Sequence, residues 1–338
     1  MVLLTGMIGT QAATITVNNN AGAVADHSTM ADAIAAASAG DTLLVAGSST
    51  NYGVANLDKQ LKIVGPGYFL AENNVPGVTP GIDDQPATVT LTFLNSSVEG
   101  SRFVGLSITN VNYGPVTSDM LWDRCRFLAN VTWSGATDFR VTRCYFDGWL
   151  SIGASTNTTA IGCNMNRLYL DGGAVASHCT IRGSGNAAFF NITGGSAATN
   201  CLVIRWNNNG QVPVITGSVT HCVGINTELP PSESDSAATP DASNNYDNVP
   251  FSDLATMILA PAPPYAKDAF YQLNTANASN PAVANASDGT DIGAFGGPVP
   301  YRLAGQPSIP KISNLVVPGL ASPTSGLNVK VTVTEPTP

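Results

Sequence analysis

Charged side chains are scarce in this chain, and that scarcity narrows the fold class. Only 11% of the 338 residues are Asp, Glu, Lys or Arg, against roughly 25% in an average soluble domain. Helical proteins cover their exposed faces with such residues, so a helical fold is disfavoured. The apolar fraction of 43% allows a continuous core and disfavours a disordered chain. Ser, Thr, Asn and Gly make up much of the remainder, a composition typical of stacked strands joined by short turns.

Positive charge is in particularly short supply. The chain has 14 Lys and Arg against 23 Asp and Glu, which gives a formal net charge of -9. A surface of this sign repels phosphate backbones and anionic lipid, so we expect no nucleic-acid partner. No apolar run approaches the roughly 20 residues that cross a bilayer, so we expect no membrane insertion.

Several local motifs of catalysis are missing as well. The sequence has no phosphate-binding loop, no Gly-x-Ser-x-Gly elbow, no His-Glu-x-x-His and no Cys-x-x-Cys pair. Nucleotide, serine-hydrolase and zinc-protease chemistry therefore have no support. We expect no metal and no cofactor.

The feature that is present is a repeat marked by cysteine. All six cysteines fall between residues 125 and 222, at spacings of 19, 19, 16, 22 and 21 residues. Each follows a polar residue or glycine, and an apolar residue or glycine comes two positions later. Gly100-Ser101-Arg102-Phe103 resembles an earlier copy with Ser101 in the cysteine position. The repeated positions are Cys125, Cys144, Cys163, Cys179, Cys201 and Cys222.

Strand periodicity turns this repeat into a fold prediction. Residues two apart on a strand face the same side, so each cysteine and the residue two later point inward together. A unit of about 20 residues cannot bury its own apolar side and must stack on its neighbours. The regular leucines of a leucine-rich repeat are missing. We therefore predict an all-β, single-stranded right-handed parallel β-helix, with the cysteines in one interior column.

The cysteines allow two interpretations. An even number in an exported protein suggests disulfides. Adjacent parallel strands, however, hold equivalent residues about 4.8 Å apart, wider than the roughly 3.8 Å between the Cβ atoms of a disulfide. Buried free cysteine behaves as a small apolar residue, so stacked free thiols are favoured over disulfides.

The two ends of the predicted coil resemble a known family. A strand over 13–19, an Ala-rich helix over 29–37 capped by Ser28 or Thr29, and strands over 42–46 and 61–65 open the coil. Gly40-Asp41-Thr42-Leu43, Lys62-Ile63-Val64-Gly65 and a closing Asp291-Ile292-Gly293-Ala294-Phe295 resemble secreted bacterial β-helix proteins of the pectate-lyase-like superfamily. The resemblance covers most of residues 13–300. It implies a fold and an exported location rather than an activity.

The remaining segments complete the organisation. Residues 1–12 read as a residual signal peptide, with a buried first strand as the alternative. The β-helix is predicted over 13–297, with a long exposed loop over 228–250. A Pro-containing linker and a β-strand extension follow over 298–338, with strands over 312–317 and 327–333. These last strands either pack on the coil or begin something longer.

An enzymatic function would place its groups on the outward columns beside the cysteines. The candidate bases of a polysaccharide lyase are Arg124, Arg143 and Arg126, and its candidate cation ligands are Asp123, Asp147 and Asp171. Asp123 and Asp147 are also the candidate carboxylate pair of a hydrolase. Ca²⁺ is expected only under this alternative. The competing interpretation is that these residues form ion pairs across neighbouring strands.

A binding function draws on the same region of the chain. Aromatic rings stack on sugars, and Asn or Arg side chains satisfy hydroxyl groups. Candidate binding residues are Trp122, Arg126, Tyr145, Asn164 and His178. Of the aromatics Trp122, Trp133, Trp149 and Tyr169, we expect some to be exposed and others to pack under turns.

We therefore expect an extracellular or cell-surface protein with a binding or structural role: glycan-binding, an adhesin, or a fibre subunit. Its partner would be a polysaccharide or another surface component. Self-association through the coil ends or the C-terminal strands is a further expectation. The alternative is a polysaccharide lyase or glycoside hydrolase.

Overall fold

In the computed structural model the chain forms one coil, whose turns contribute strands to two parallel sheets. The structure describes residues 12–73, 84–114, 118–183, 188–205, 213–227, 229, 241–259, 268–307, 311–316 and 330–334. The chain forms a parallel β-solenoid of about eight turns with little helix, which confirms the predicted fold class. The residues predicted as a signal peptide lie outside the described part, except for Ala12.

The first sheet consists of short strands whose central residue points inward. Leu43, Ile63, Phe103 and Trp122 occupy such central positions and are buried. Each strand pairs in parallel with the equivalent strand of the next turn. The ten strands are Thr14–Val17, Thr42–Val45, Lys62–Val64, Arg102–Val104, Leu121–Asp123, Arg140–Thr142, Thr159–Ile161, Val175–Ser177, Ala197–Thr199 and Ser218–Thr220.

The second sheet is wider and less regular. Its strands also pair in parallel, but several turns contribute two segments to it. The thirteen strands are Val54–Leu57, Thr88–Phe93, Ser107–Asn112, Arg126–Phe127, Val131–Ser134, Tyr145–Gly153, Asn164–Leu170, Thr180–Gly183, Phe190–Ile192, Leu202–Arg205, Val214–Ile215, Val223–Ile225 and Tyr246–Val249. The last of these lies within the region predicted as an exposed loop, because Val249 packs against the apolar end of the coil.

Within the described residues, helix is confined to short segments. The α-helix Met30–Ala36 packs on the first turns, and Thr29 caps it by accepting a hydrogen bond from the Asp32 amide at 3.1 Å, as predicted. A second α-helix spans Leu254–Met257. The 3₁₀ helices are Ser96–Val98, Phe251–Asp253, Ala269–Tyr271 and Leu303–Gly305. No helix in the described part of the chain is long and apolar enough to cross a membrane.

The residue before each cysteine forms the corner between the two sheets. These corner residues adopt the left-handed conformation, with φ between 49° and 62°. That conformation is unfavourable for side chains other than glycine, so stacked neighbours must hold it in place. The neighbours do so through a ladder of backbone hydrogen bonds, such as Arg124 N to Thr142 O at 2.9 Å. The corners are Arg124, Arg143, Gly162, His178, Asn200 and His221.

The cysteines themselves are buried, free and stacked just inside these corners. Each thiol donates to the carbonyl oxygen two residues earlier, at 3.3–3.5 Å. The same carbonyl oxygens also accept ladder bonds from backbone amides of the preceding turn, such as Arg124 N to Thr142 O, so the thiol adds a second, weak bond. Cysteine is therefore suited to the position because it is small, apolar and a weak donor.

The repeat begins earlier than the cysteines, but Ser101 is not its first copy. Ser107 pairs with Arg126 and Ile108 with Phe127, so Leu106 occupies the cysteine position of that turn. Gly105, with φ of 64°, forms the corner. Ser101 instead precedes a strand of the first sheet. The prediction for Ser101 was wrong because Gly105-Leu106 contains no cysteine to mark it.

A C-terminal cover, residues 249–259 and 268–307, lies over part of the coil. Its backbone is joined to the coil at several points, such as Gly293 N to Asn200 O at 2.8 Å. Contacts continue past residue 297, where the sequence predicted a linker: Gln306 O accepts from Arg124 Nη1 at 2.7 Å. Strands Lys311–Val316 and Lys330–Thr334 pair antiparallel with each other. Self-association through either of them stays a prediction.

Candidate functional site

The candidate catalytic groups of the first sheet form an ion pair. Arg143 donates from Nε to Asp123 Oδ1 at 2.8 Å and from Nη2 to Asp123 Oδ2 at 2.7 Å. Arg124 is buried at its corner, with Nε 3.7 Å from Asp123 Oδ2. Burial, together with the charge of Arg143, lowers the pKa of Arg124 to about 10. Arg124 stays protonated at neutral pH and serves to fasten the cover.

The remaining candidate aspartate lies on the other sheet. Asp147 accepts from Arg126 Nε at 2.9 Å, and the Arg126 guanidinium stacks on the Phe69 ring at 4.3 Å. Asp123 and Asp147 are therefore not brought together, and each binds an arginine of a neighbouring turn. This is the ion-pair interpretation that the sequence left open. No group of three or more His, Cys, Asp or Glu suited to a metal occurs among the described residues.

Trp122 is not a binding residue, because it lies inside the coil. It is completely buried and stacks on Phe103, with ring centroids 4.3 Å apart and planes at 17°. Counting back in twos from Cys125 places Asp123 inward and Trp122 outward. The left-handed corner at Arg124 shifts the inward–outward alternation of side chains by one residue. The prediction that Trp122 faces outward was therefore wrong.

Tyr145 and Asn164 face outward from the coil, as predicted, yet they are buried beneath the cover. Tyr145 packs with Tyr68, Ala294 and Tyr301. Among the described residues, neither the oxygen nor the nitrogen of the Asn164 amide has a hydrogen-bond partner. The expectation that these two residues bind a ligand at the surface is wrong, because the C-terminal cover, distant in the sequence, buries them.

His178 is also buried, at a corner under the cover. Its Nδ1 is 2.9 Å from Ser177 Oγ, and its Nε2 is 3.3 Å from Thr290 Oγ1 and 3.5 Å from Asp288 Oδ2. These contacts join the corner to the cover. Of the predicted binding residues only Arg126 keeps a partly exposed side chain, and Asp147 engages it.

The open part of the second sheet contains a break between two turns. Strand Ser107–Asn112 pairs with the next turn only at Ser107 and Ile108, and the last ladder bond runs from Leu128 N to Ile108 O at 2.9 Å. Strand Val131–Ser134 pairs with the following turn alone. Within these described strands the edges at 109–113 and 129–134 face each other without ladder pairing. We call this gap the sheet break.

The sheet break has an apolar floor and polar rims. It contains a cavity of about 50 Å³ that is partly open to solvent. Its floor includes Ile108 and Phe127, which are buried, while Asn110, Asn130 and Thr132 on its rims are exposed. Such a combination of apolar floor and convergent amide and hydroxyl groups is typical of a small-ligand site.

An aromatic patch lies directly beside the sheet break. The Trp149 amide donates to Asn130 Oδ1 at 3.3 Å. Trp149 and Tyr169 are half-buried, with ring centroids 6.4 Å apart, and the Arg167 guanidinium lies 5.8 Å from the Trp149 ring. We call Trp149, Arg167 and Tyr169 the aromatic patch. Trp149 and Tyr169 belong to the aromatics of which the sequence predicted some to be exposed.

A polar column links both features along the sheet. Registers place Thr132, Ser151, Tyr169 and Asn191 in line on successive turns. On the other side of the break, Asn112 donates to Thr92 Oγ1 at 3.1 Å. Sequence reasoning missed these polar side chains. The alternation of Thr and Asn with apolar residues in strands 88–93 and 107–112 was a usable signal for them.

The sheet break, the aromatic patch and the polar column form one open face with hydrogen-bonding groups and ring surfaces at regular intervals. Equivalent residues on successive turns are separated by about 4.8 Å. Side chains of this kind are suited to contacts with an extended, hydroxyl-rich ligand. Comparisons with protein-family models, with curated proteins and with solved structures found no match to this chain.

Proposed function

We propose that this protein is an extracellular or cell-surface β-solenoid that binds glycan on the open face of its second sheet. The observation that carries the proposal is the partly exposed Trp149 ring, which lies beside the Tyr169 ring and the Arg167 guanidinium. Trp149 lies one turn from Asn130 and directly opposite Arg167 in the ladder. An aromatic ring flanked by amide and guanidinium donors is suited to a sugar, which has both an apolar C–H face and hydroxyl edges.

The repetition of the coil supports a polymer as the ligand. Each turn adds another polar side chain to the same column, about 4.8 Å from the last. A linear polysaccharide also repeats at roughly the length of one sugar ring. Several weak hydroxyl contacts on successive turns then add up along the chain, as in other multivalent contacts.

The location and origin of the protein belong to the same proposal. The low charge, the apolar start of the sequence and the free use of Asn, Ser and Thr favour an exported protein. Gly40-Asp41-Thr42-Leu43 and Asp291-Ile292-Gly293-Ala294-Phe295 favour a right-handed β-helix of the pectate-lyase-like superfamily. The lyase or hydrolase alternative relied on Arg143, Asp123 and Asp147, which are engaged in ion pairs, so we propose binding rather than catalysis.

The proposal is tested by binding of soluble oligosaccharides, measured by calorimetry, to the full chain and to Trp149→Ala. We expect the variant to lose at least about tenfold in affinity, or about 1.4 kcal/mol, because stacking and apolar burial are both removed. Phe251→Ala is the matched control, since Phe251 is another exposed aromatic but belongs to the cover. Equal affinities for Trp149→Ala and the parent chain would rule out the open face as the glycan site.

A further inference from the structure

We infer that the sheet break is a subsite for the acetamido group of an N-acetylated sugar. The inference rests on the proposed function, since it names the sugar class that the open face selects. It is carried by the size of the cavity, the chemistry of its edges and its position beside Trp149.

The size of the cavity corresponds to a small substituent rather than a whole sugar ring. It measures about 50 Å³, while one water-sized group needs roughly 10–15 Å³ on the same measure. About four such groups fit. An acetamido group has four non-hydrogen atoms: the nitrogen, the carbonyl carbon, its oxygen and the methyl carbon.

The strand edges at the sheet break are suited to a ligand group that hydrogen-bonds as a peptide does. In a parallel sheet, strand edges that face each other carry amide N–H and C=O groups that seek ladder partners. Between 109–113 and 129–134 that ladder pairing does not form. A ligand amide placed in the gap supplies one N–H and one C=O, the same pair of groups that a paired strand would supply. A single hydroxyl group in that position cannot replace both the N–H and the C=O group in the plane of the sheet.

The floor and the rim account for the other two parts of the substituent. Ile108, Val111, Phe127 and Val131 line the cavity and offer an apolar contact for the acetyl methyl group. Asn110 and Asn130 line the same cavity with amide side chains that can bond the acetamido oxygen and nitrogen.

The position of the break agrees with a sugar bound on Trp149. Leu150 pairs with Val131, so Asn130 and Trp149 lie on adjacent turns, and the Asn130 side chain bonds the Trp149 amide. A ring stacked on Trp149 can therefore direct its acetamido substituent across about one turn into the break. The two features recognise different parts of the same sugar.

The test compares two trisaccharides with the same β-1,4 linkage, tri-N-acetylchitotriose and cellotriose, by calorimetry on the full chain. We expect the acetylated ligand to bind at least tenfold more tightly. Ala129→Leu fills the cavity that Ala129 lines. It should remove this preference, so that tri-N-acetylchitotriose and cellotriose bind the variant with similar affinities. Thr159→Leu, on an outward position of the first sheet, is the matched control and should leave both affinities unchanged.

Asn110→Ala, at an exposed rim position, provides a second variant that does not strain the core, and it should reduce the preference as well. Equal binding of the two trisaccharides by the parent chain would overturn the acetamido subsite and leave the glycan proposal standing. A preference that both Ala129→Leu and Asn110→Ala retain would also overturn it. If the parent chain binds neither trisaccharide, the acetamido subsite is refuted. If the parent chain binds no glycan at all, the proposed function is refuted as well.

Discussion

The outer surface of the second sheet has two halves that differ in their exposure to solvent. In the half beside the cysteine corners, outward residues such as Asn164, Thr180 and Leu202 are buried beneath the C-terminal cover. In the half that contains the sheet break, Thr132 is exposed and Trp149 and Tyr169 are partly exposed. Both halves obey the same strand alternation. The comparison shows that alternation determines which way a side chain points, whereas distant segments determine whether it meets solvent.

The largest expected effect follows from placing a charge in the covered half. Leu202→Asp should lower the free energy of unfolding by about 4 kcal/mol or more, because an unpaired carboxylate would be buried. Ser151→Asp makes the matched change in the open half and should alter stability by no more than about 0.5 kcal/mol. Urea unfolding measures both. Similar losses for the two variants would show that the cover does not seal this half.

A smaller effect of opposite sign is expected at Asn164. Its buried amide makes no hydrogen bond among the described residues, and an unsatisfied buried polar group costs about 1–3 kcal/mol. Asn164→Leu should therefore raise the free energy of unfolding, by about 1 kcal/mol after allowance for repacking. Asn191→Leu in the open half should give less, because Asn191 is only half-buried and only its amide oxygen lacks a partner among the described residues. Destabilisation by Asn164→Leu of more than about 1 kcal/mol would argue that the amide has a role the structure does not show.

The smallest expected effect concerns the pH dependence of the cover. Asp268 is buried and accepts from Ala304 N at 2.8 Å, Asn73 Nδ2 at 3.0 Å and the Tyr301 hydroxyl at 3.2 Å. Burial raises the pKa of this carboxyl above its ordinary value of 3.8, although these bonds oppose the shift. The folded chain thus retains the proton longer than the unfolded chain does.

The stability that Asp268 contributes is consequently full below its unfolded pKa and declines as the pH rises through its folded pKa. Relative to Asp268→Asn, the parent chain should lose stability on going from pH 4 towards neutrality. Tyr68, Tyr145 and Tyr301, which surround the carboxyl, stay neutral in that range because burial raises their pKa values. Parallel pH profiles for the two chains would contradict the assignment, and urea midpoints at several pH values measure it.

The fold could be predicted because the cysteine repeat reports local geometry. A corner, an inward cysteine and an inward residue two later recur within one turn, so neighbouring residues were enough to reveal the coil. The same limit explains the error at Ser101. Gly105-Leu106 forms an equivalent corner in another residue type, which a cysteine-based pattern cannot detect.

The binding face was harder to predict because it depends on contacts between distant parts of the chain. Tyr145 was placed outward correctly, but Ala294 and Tyr301 cover it. The apolar residues Leu202 and Val223, which follow their cysteines at outward positions, were a signal of such a cover. Nothing local marks the sheet break, since it results from a missed pairing between two turns.

The stacked cysteine column is tested most directly by the reaction of the native chain with a thiol-specific reagent such as Ellman's reagent. All six thiols are free and buried. The account predicts no reaction of the folded chain and six reactive thiols after unfolding in denaturant without reductant. Rapid labelling of the folded chain, or fewer than six thiols after unfolding, would contradict the stacked interior column.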